Sequence, residues 1–238
     1  MISIVLSIVS INSSGQGTFQ NLDFESADLT PVPAGQGGGD VPLSAALPGW
    51  NASIGSTAVT EVLQNNSTLG NASIDILGPD WGFIYPGIID GNYSVYIQSG
   101  GIPGGGPGSG GVNASLWQDG IVPANAQSLQ FKAWEDLPPF ASFSVTFADN
   151  SLTPIAIGSG QSPSGQDYTI YGVNISPYSG QTGQLEFAAD FNPNGPSWLL
   201  LDDISFSPQA VPEPSPIVLS GIGGLLFGLY RRFAPKRK

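Results

Sequence analysis

The chain of 238 residues contains no histidine and no cysteine. The first absence excludes Ser-His-Asp and Cys-His nucleophile chemistry and every histidine-ligated metal. The second excludes a disulfide framework and a cysteine-ligated zinc. Basic residues are nearly as scarce: there are six, five of them in the last eight positions. Residues 1–210 hold 17 acids and one base, Lys132, a net charge of about −16. That surface excludes nucleic acid, which is gripped by basic contacts to phosphate. It suits cations or neutral polymers. Helix-forming Lys, Arg, Glu and Met are few, while glycine (33) and proline (21) are abundant. The balance favours strands and turns over helices.

What is present is ordered along the chain. Residues 1–15, beginning MISIVLSIVSI, read as the apolar core of a signal peptide without its basic start. Residues 16–208 form the ectodomain. Strands are expected at 50–55, 57–63, 72–77, 93–98, 112–118, 128–134, 143–147, 152–157, 168–175, 184–189 and 198–206. Phe143, Val145 and Phe147 alternate with Ser142, Ser144 and Thr146, so one face of that strand is buried. Asp90-Gly91-Asn92 and Asp149-Asn150-Ser151 are turn signals. Residues 29–48 and 79–90 read as loops, the second carrying Trp81, Phe83 and Tyr85. The glycine-rich stretch 100–111 has no Lys-Ser or Lys-Thr after it and reads as a surface loop, not a phosphate cradle. So many short strands predict an all-β fold, an antiparallel β-sandwich of jelly-roll type.

The end of the chain has its own order. Val211-Pro212-Glu213-Pro214 sits in a linker, 209–216, whose prolines cannot lie inside a helix. Residues 214–230 carry no charge and would span about 25 Å as a helix, near the short limit for a bilayer core. Residues 217–230 therefore read as a single transmembrane helix, with Gly224 and Gly228 as a close-approach pair. Residues 231–238, opening on Arg231-Arg232, stay cytoplasmic and leave everything upstream outside. This three-part order resembles the PEP-CTERM sorting tail of bacterial exported proteins. The resemblance implies processing by an exosortase as partner. It implies a protein held first at the inner membrane of a Gram-negative bacterium, then passed to the cell surface or an exopolysaccharide matrix.

Three phrases also resemble, in their order, the galactose-binding-like sandwich of many carbohydrate-binding modules. They are Asn21-Leu22-Asp23-Phe24-Glu25, then Leu116-Trp117-Gln118 with Pro123 and Leu129-Gln130-Phe131, then Leu201-Asp202-Asp203-Ile204. The resemblance implies that the first and last strands lie together, that Glu25 approaches Asp202 and Asp203, and that a structural calcium ties the ends there. Asp202 is expected to share a strand face with Ile204 and Phe206 and so to point inward. Trp81, Tyr85 and Trp134, in or beside loops, are the expected sugar-stacking rings, while Trp50 reads as core. Glu135 and Asp136 are adjacent acids, but neighbours on one strand point to opposite faces and cannot flank one glycosidic bond. A loop after Trp134 is the simpler account of them. The chain is read as a non-enzymatic surface or matrix protein. A carbohydrate-binding module for a specific polysaccharide is the alternative, and a glycoside hydrolase the less favoured one.

Overall fold

The computed structural model describes residues 16–30, 39–66, 68, 70–79, 81, 87–104, 110–136 and 142–211. The signal segment 1–15, Tyr85 and everything from Pro212 on, including the helix expected at 217–230 and Arg231-Arg232, lie outside them. Among the described residues no helix is long and apolar enough to cross a membrane.

In chain order the strands are β1 (Asp40–Pro42), β2 (Asn51–Ile54), β3 (Thr57–Val59), β4 (Glu61–Gln64), β5 (Ser73–Leu77), β6 (Ser94–Gln98), β7 (Gly100–Gly101), β8 (Gly111–Val112), β9 (Ala114–Ile121), β10 (Ser128–Asp136), β11 (Ser142–Phe147), β12 (Asn150–Leu152), β13 (Ile155–Gln161), β14 (Asp167–Asn174), β15 (Thr182–Asp190) and β16 (Trp198–Ser207). A short helix, α1 (Leu43–Ala46), follows β1 within the stretch expected to be loop. The large sheet runs β1-β4-β5-β6-β16-β10-β14-β13 and the small sheet β12-β11-β15-β9-β2-β3. β7 and β8 pair with each other at the two ends of the glycine-rich loop.

The two sheets make a β-sandwich, and the differences from expectation have local causes. Among the strands of the described residues the pairing is antiparallel except between β4 and β5, which run parallel for two residue pairs; Asn71 adds an isolated parallel bridge to Gly101. The connection between them holds two left-handed residues, Asn65 (φ 48) and Gly70 (φ 92), which supply the reversals a parallel return needs. The stretch 57–63 breaks at Thr60, whose carbonyl accepts the Leu43 N–H of α1 (2.8 Å) rather than a ladder bond. The stretch 152–157 breaks at Thr153-Pro154. There β12 stays beside β11, and β13 crosses to the large sheet. Pro154 has no N–H to continue a ladder. β10 runs on to Asp136, paired with β16 (Asp136↔Trp198), so the loop expected after Trp134 is instead strand.

The core lies between the sheets. Val145 and Phe147 are buried, as their alternation predicts. Phe131 of the large sheet meets Phe187 of β15 edge-on at 5.2 Å between centroids and Phe143 of β11 at 6.2 Å, so one ring joins both layers. Trp50 is buried and its indole N–H donates to the Asn21 carbonyl (2.9 Å). Residues 16–30 contain no strand, so the expected first strand is a chain of turns. It still lies along β16: Ile204 N–H donates to the Leu22 carbonyl (2.9 Å), and Phe19 stacks on Phe206 at 5.2 Å.

Truncating Phe131 to alanine removes the ring that spans the layers and should cost about 3–5 kcal/mol. The midpoint of urea unfolding checks this, and a loss below about 1 kcal/mol would place the main inter-sheet contact elsewhere.

Candidate functional site

The large sheet has a second built face, turned away from the core. Register places Asp75, Tyr96, Leu200 and Trp134 in one row across β5, β6, β16 and β10. Ser73, Gln98 and Trp198 form the row on one side of it. On this face Leu77, Ile89, Tyr96 and Leu200 make a small buried cluster, and Trp81, Trp134, Tyr168 and Trp198 pack around it half-buried. The arrangement is a closed apolar floor with four partly open rings at its edge. Sugars present an apolar C–H face that fits the negative face of such rings.

The expected rings Trp81 and Trp134 are brought together here; Tyr85 is outside the described residues. Sequence reasoning missed Trp198 and Tyr168. The signal for Trp198 was available: Trp198-Leu199-Leu200-Leu201 is apolar on both strand faces, which marks a strand covered on both sides. Tyr168 lies flat because it pairs with Gly160, where a Cβ would stand 2.5 Å from the tyrosine hydroxyl. Beside these rings is a cavity of about 260 Å³ lined by Trp134, Glu135, Asp167 and Tyr168. Burial raises the Glu135 carboxyl above the usual range. A larger cavity of about 500 Å³, at Gln127, Asn174, Tyr178 and Val211, has one aromatic ring and no charged side chain, and so lacks the chemistry of the ring face.

The floor is closed by a strap, residues 87–93. At one end Gly87 N–H donates to Gln166 Oε1 (2.7 Å) and the Ser164 hydroxyl to the Ile88 carbonyl (3.2 Å), both in the turn between β13 and β14. In the middle Asp202 Oδ2 accepts from Asp90 N–H (3.0 Å) and the Ser94 hydroxyl (2.6 Å). At the other end Glu25 Oε1 accepts from Asn92 N–H (2.7 Å) and Tyr93 N–H (2.9 Å), and Oε2 from Asn92 Nδ2 (2.9 Å). Gly91, at φ 55, leaves room for Glu25; a Cβ there would sit 2.2 Å from Oε1.

Asp202 reaches the strap from the outer face of β16, just before a bulge. Asp203, at φ 45, and Ile204 together oppose Phe131 of β10. Leu199 and Leu201 face the core before the bulge, Ile204 and Phe206 after it. Asp202 falls on the Leu200 side, so its expected place on the Ile204 face is corrected. It is nonetheless buried, at 1% exposure.

Glu25, Asp202 and Asp203 therefore gather at one turn, but their oxygens do not fit a calcium ion. Glu25 and Asp202 point theirs at N–H and O–H donors, including Asp203 N–H on Asp202 Oδ1 (2.7 Å). Asp203 and Asp90 both bind the Lys132 ammonium, Asp203 at 3.0 Å. Calcium needs six to eight free oxygens, and no group of three or more acids among the described residues could hold a metal. Lys132 also stands 5.4 Å from the Tyr168 ring centroid, tying the ion pairs to the aromatic face.

No family model and no curated protein matches the chain. Several solved structures are similar at low level, three of them as follows. One is TmCBM61 in complex with β-1,4-galactotriose (12% identity, TM-score 0.40, covering 80% of this chain and 97% of that one). Another comes from work on the promiscuous specificity of carbohydrate-binding modules of the β-sandwich superfamily (13%, TM-score 0.38, 71% and 63%). The third is the enzymatically active domain of tailspike protein 4 of bacteriophage CBA120 (14%, TM-score 0.35, 67% of this chain and 19% of that one). Likeness at these scores carries no argument about ligand or activity.

Burial pushes the Asp202 carboxyl up to about 7, against the three donors that favour its charge. Burial likewise raises Asp75 and Asp190, whereas the Lys132 ammonium lowers Asp90. A carboxyl with a raised folded pKa binds more protons folded than unfolded between its two values. Stability should therefore fall as pH rises from about 4 to 7, by roughly 4 kcal/mol from Asp202 alone at about 1.4 kcal/mol per unit. Thermal melts across this range should show the slope, and Asp202→Asn should flatten it. An unchanged slope in that variant would remove Asp202 as its source.

Proposed function

We propose that this is an exported, non-enzymatic surface or matrix protein that binds neutral polysaccharide through the outer face of its large sheet. The observation that carries this is the set of four half-buried rings, Trp81, Trp134, Tyr168 and Trp198, around a buried floor. Such an edge can stack on the flat apolar face of a sugar ring. Charge supports the choice of polymer. The one cation of the described residues, Lys132, is already shared by Asp90 and Asp203. A polyanion such as a uronate chain meets Glu135 and Asp167 beside the rings. We read the sandwich as a galactose-binding-like jelly roll, a reading supported by the pairing of Leu22 with Ile204 at the two ends of the described chain.

Export rests on the order of the tail: Val211-Pro212-Glu213-Pro214, an uncharged helix-length run, then Arg231-Arg232. An exosortase would separate the sandwich from the membrane near the Pro-Glu-Pro motif. The adjacent acids Glu135 and Asp136 are not read as a hydrolytic pair, since neighbouring positions on β10 alternate in face.

Two outcomes are expected. Replacing Trp134 and Trp198 together by alanine should weaken retention on immobilised neutral polysaccharide about tenfold, or about 1.4 kcal/mol. Equal retention by a variant that still folds would contradict the binding reading. Changing Pro212, Glu213 and Pro214 to alanine should keep the full-length chain in the membrane fraction of the native bacterium, where the parent loses its helix. Identical intact masses would make the tail a permanent anchor.

A further inference from the structure

The small sheet also has an outward face, and one tryptophan interrupts its polar surface. Ala114 and Leu116 of β9 point into the core, so Trp117 points out, half-buried. Register puts Trp117 between Asn51 of β2 and Glu186 of β15, with Thr146 of β11 beyond Glu186. This row spans three strand spacings, about 14 Å. A cavity of about 400 Å³ opens beside it, with Trp117, Asn51, Ser44 and Thr60 in its wall. Asn51 and Thr60 are exposed.

We propose that this groove is a second saccharide site, so that the protein bridges two polysaccharide chains. An indole wall beside an amide and two hydroxyls is the donor and stacking set a sugar ring uses. Glu186 and the exposed Asp119 lie on the same face and turn away polyanions, which commits the groove to a neutral saccharide. The two sites open on opposite sides of a sandwich about 10 Å thick between sheets. One polymer chain cannot cover both by lying flat, so each site takes its own chain. Two linked sites then hold a network together more strongly than either holds one chain. Bridging rests on the reading of the large-sheet face given above; the groove itself does not.

The test is affinity electrophoresis through gels containing galactan, galactomannan, xyloglucan or dextran, with thermal melts confirming the fold of each variant. Trp117→Ala alone, and Trp134→Ala with Trp198→Ala, should each lower the retardation about tenfold, and the triple variant should migrate freely. Thr60→Lys fills the groove from an exposed position without touching the core, and should repeat the Trp117→Ala loss. Viscosity of the retarding polysaccharide should rise with the parent protein and not with Trp117→Ala. If Trp117→Ala and Thr60→Lys migrate like the parent, the groove binds nothing and the inference is overturned, while the large-sheet reading stands. If they migrate freely and the double variant is unchanged, the groove stands and the large-sheet reading falls. If no gel retards the parent, both fall.

Discussion

A buried carboxylate organises the outer half of this molecule. Asp202 holds the Asp90 N–H and the Ser94 hydroxyl, and so presses residues 87–93 onto a sheet face that would otherwise be open to water. Burying a carboxyl is costly unless donors satisfy it, and three donors meet this one. The bulge at Asp203 lets Asp202 face outward with Leu200 while Ile204 and Phe206 still face the core. Ile89, delivered by the strap, then completes the floor with Leu77, Tyr96 and Leu200. The rings at its edge pack against this floor, an arrangement that would lower the entropy cost of the proposed binding.

The scarcity of positive charge works with that design. Lys132 could have left a cationic patch, yet Asp90 and Asp203 flank its ammonium and hold its proton firmly, against the opposing effect of burial. The place where the turns of 16–30, β16 and several acids converge is thus cross-linked internally by an ammonium and by backbone N–H groups. Among the described residues the rest of the surface is acidic or neutral, and its contact chemistry is rings, amides and hydroxyls.

Much of the sandwich was legible because strand periodicity is local. The Phe143, Val145, Phe147 alternation and the turn at Asp90-Gly91-Asn92 both appear where expected. Glu25 and Asp202 do come to one place, but by bonding the same strap and not through paired strands. The bulge was not legible: nothing in Leu201-Asp202-Asp203-Ile204 says which aspartate takes the left-handed position, and that choice decides which face each residue joins. The parallel β4–β5 pair was hidden for a similar reason, since it depends on how 65–72 folds back. For the site, Trp81 and Trp134 stood out by their place beside loops. Tyr168 and Trp198 sit within strands, where rings are usually core, and only the register across β6, β16, β10 and β14 brings them together.

The five tryptophans allow a direct measurement. Each indole N–H gives its own signal in a nitrogen–proton correlation spectrum, and a titration with neutral oligosaccharide can follow all five at once. The account predicts that Trp81, Trp134 and Trp198, which pack around one floor, shift together. Saturable binding that leaves those three signals unmoved would show that the large-sheet face is not where the sugar sits.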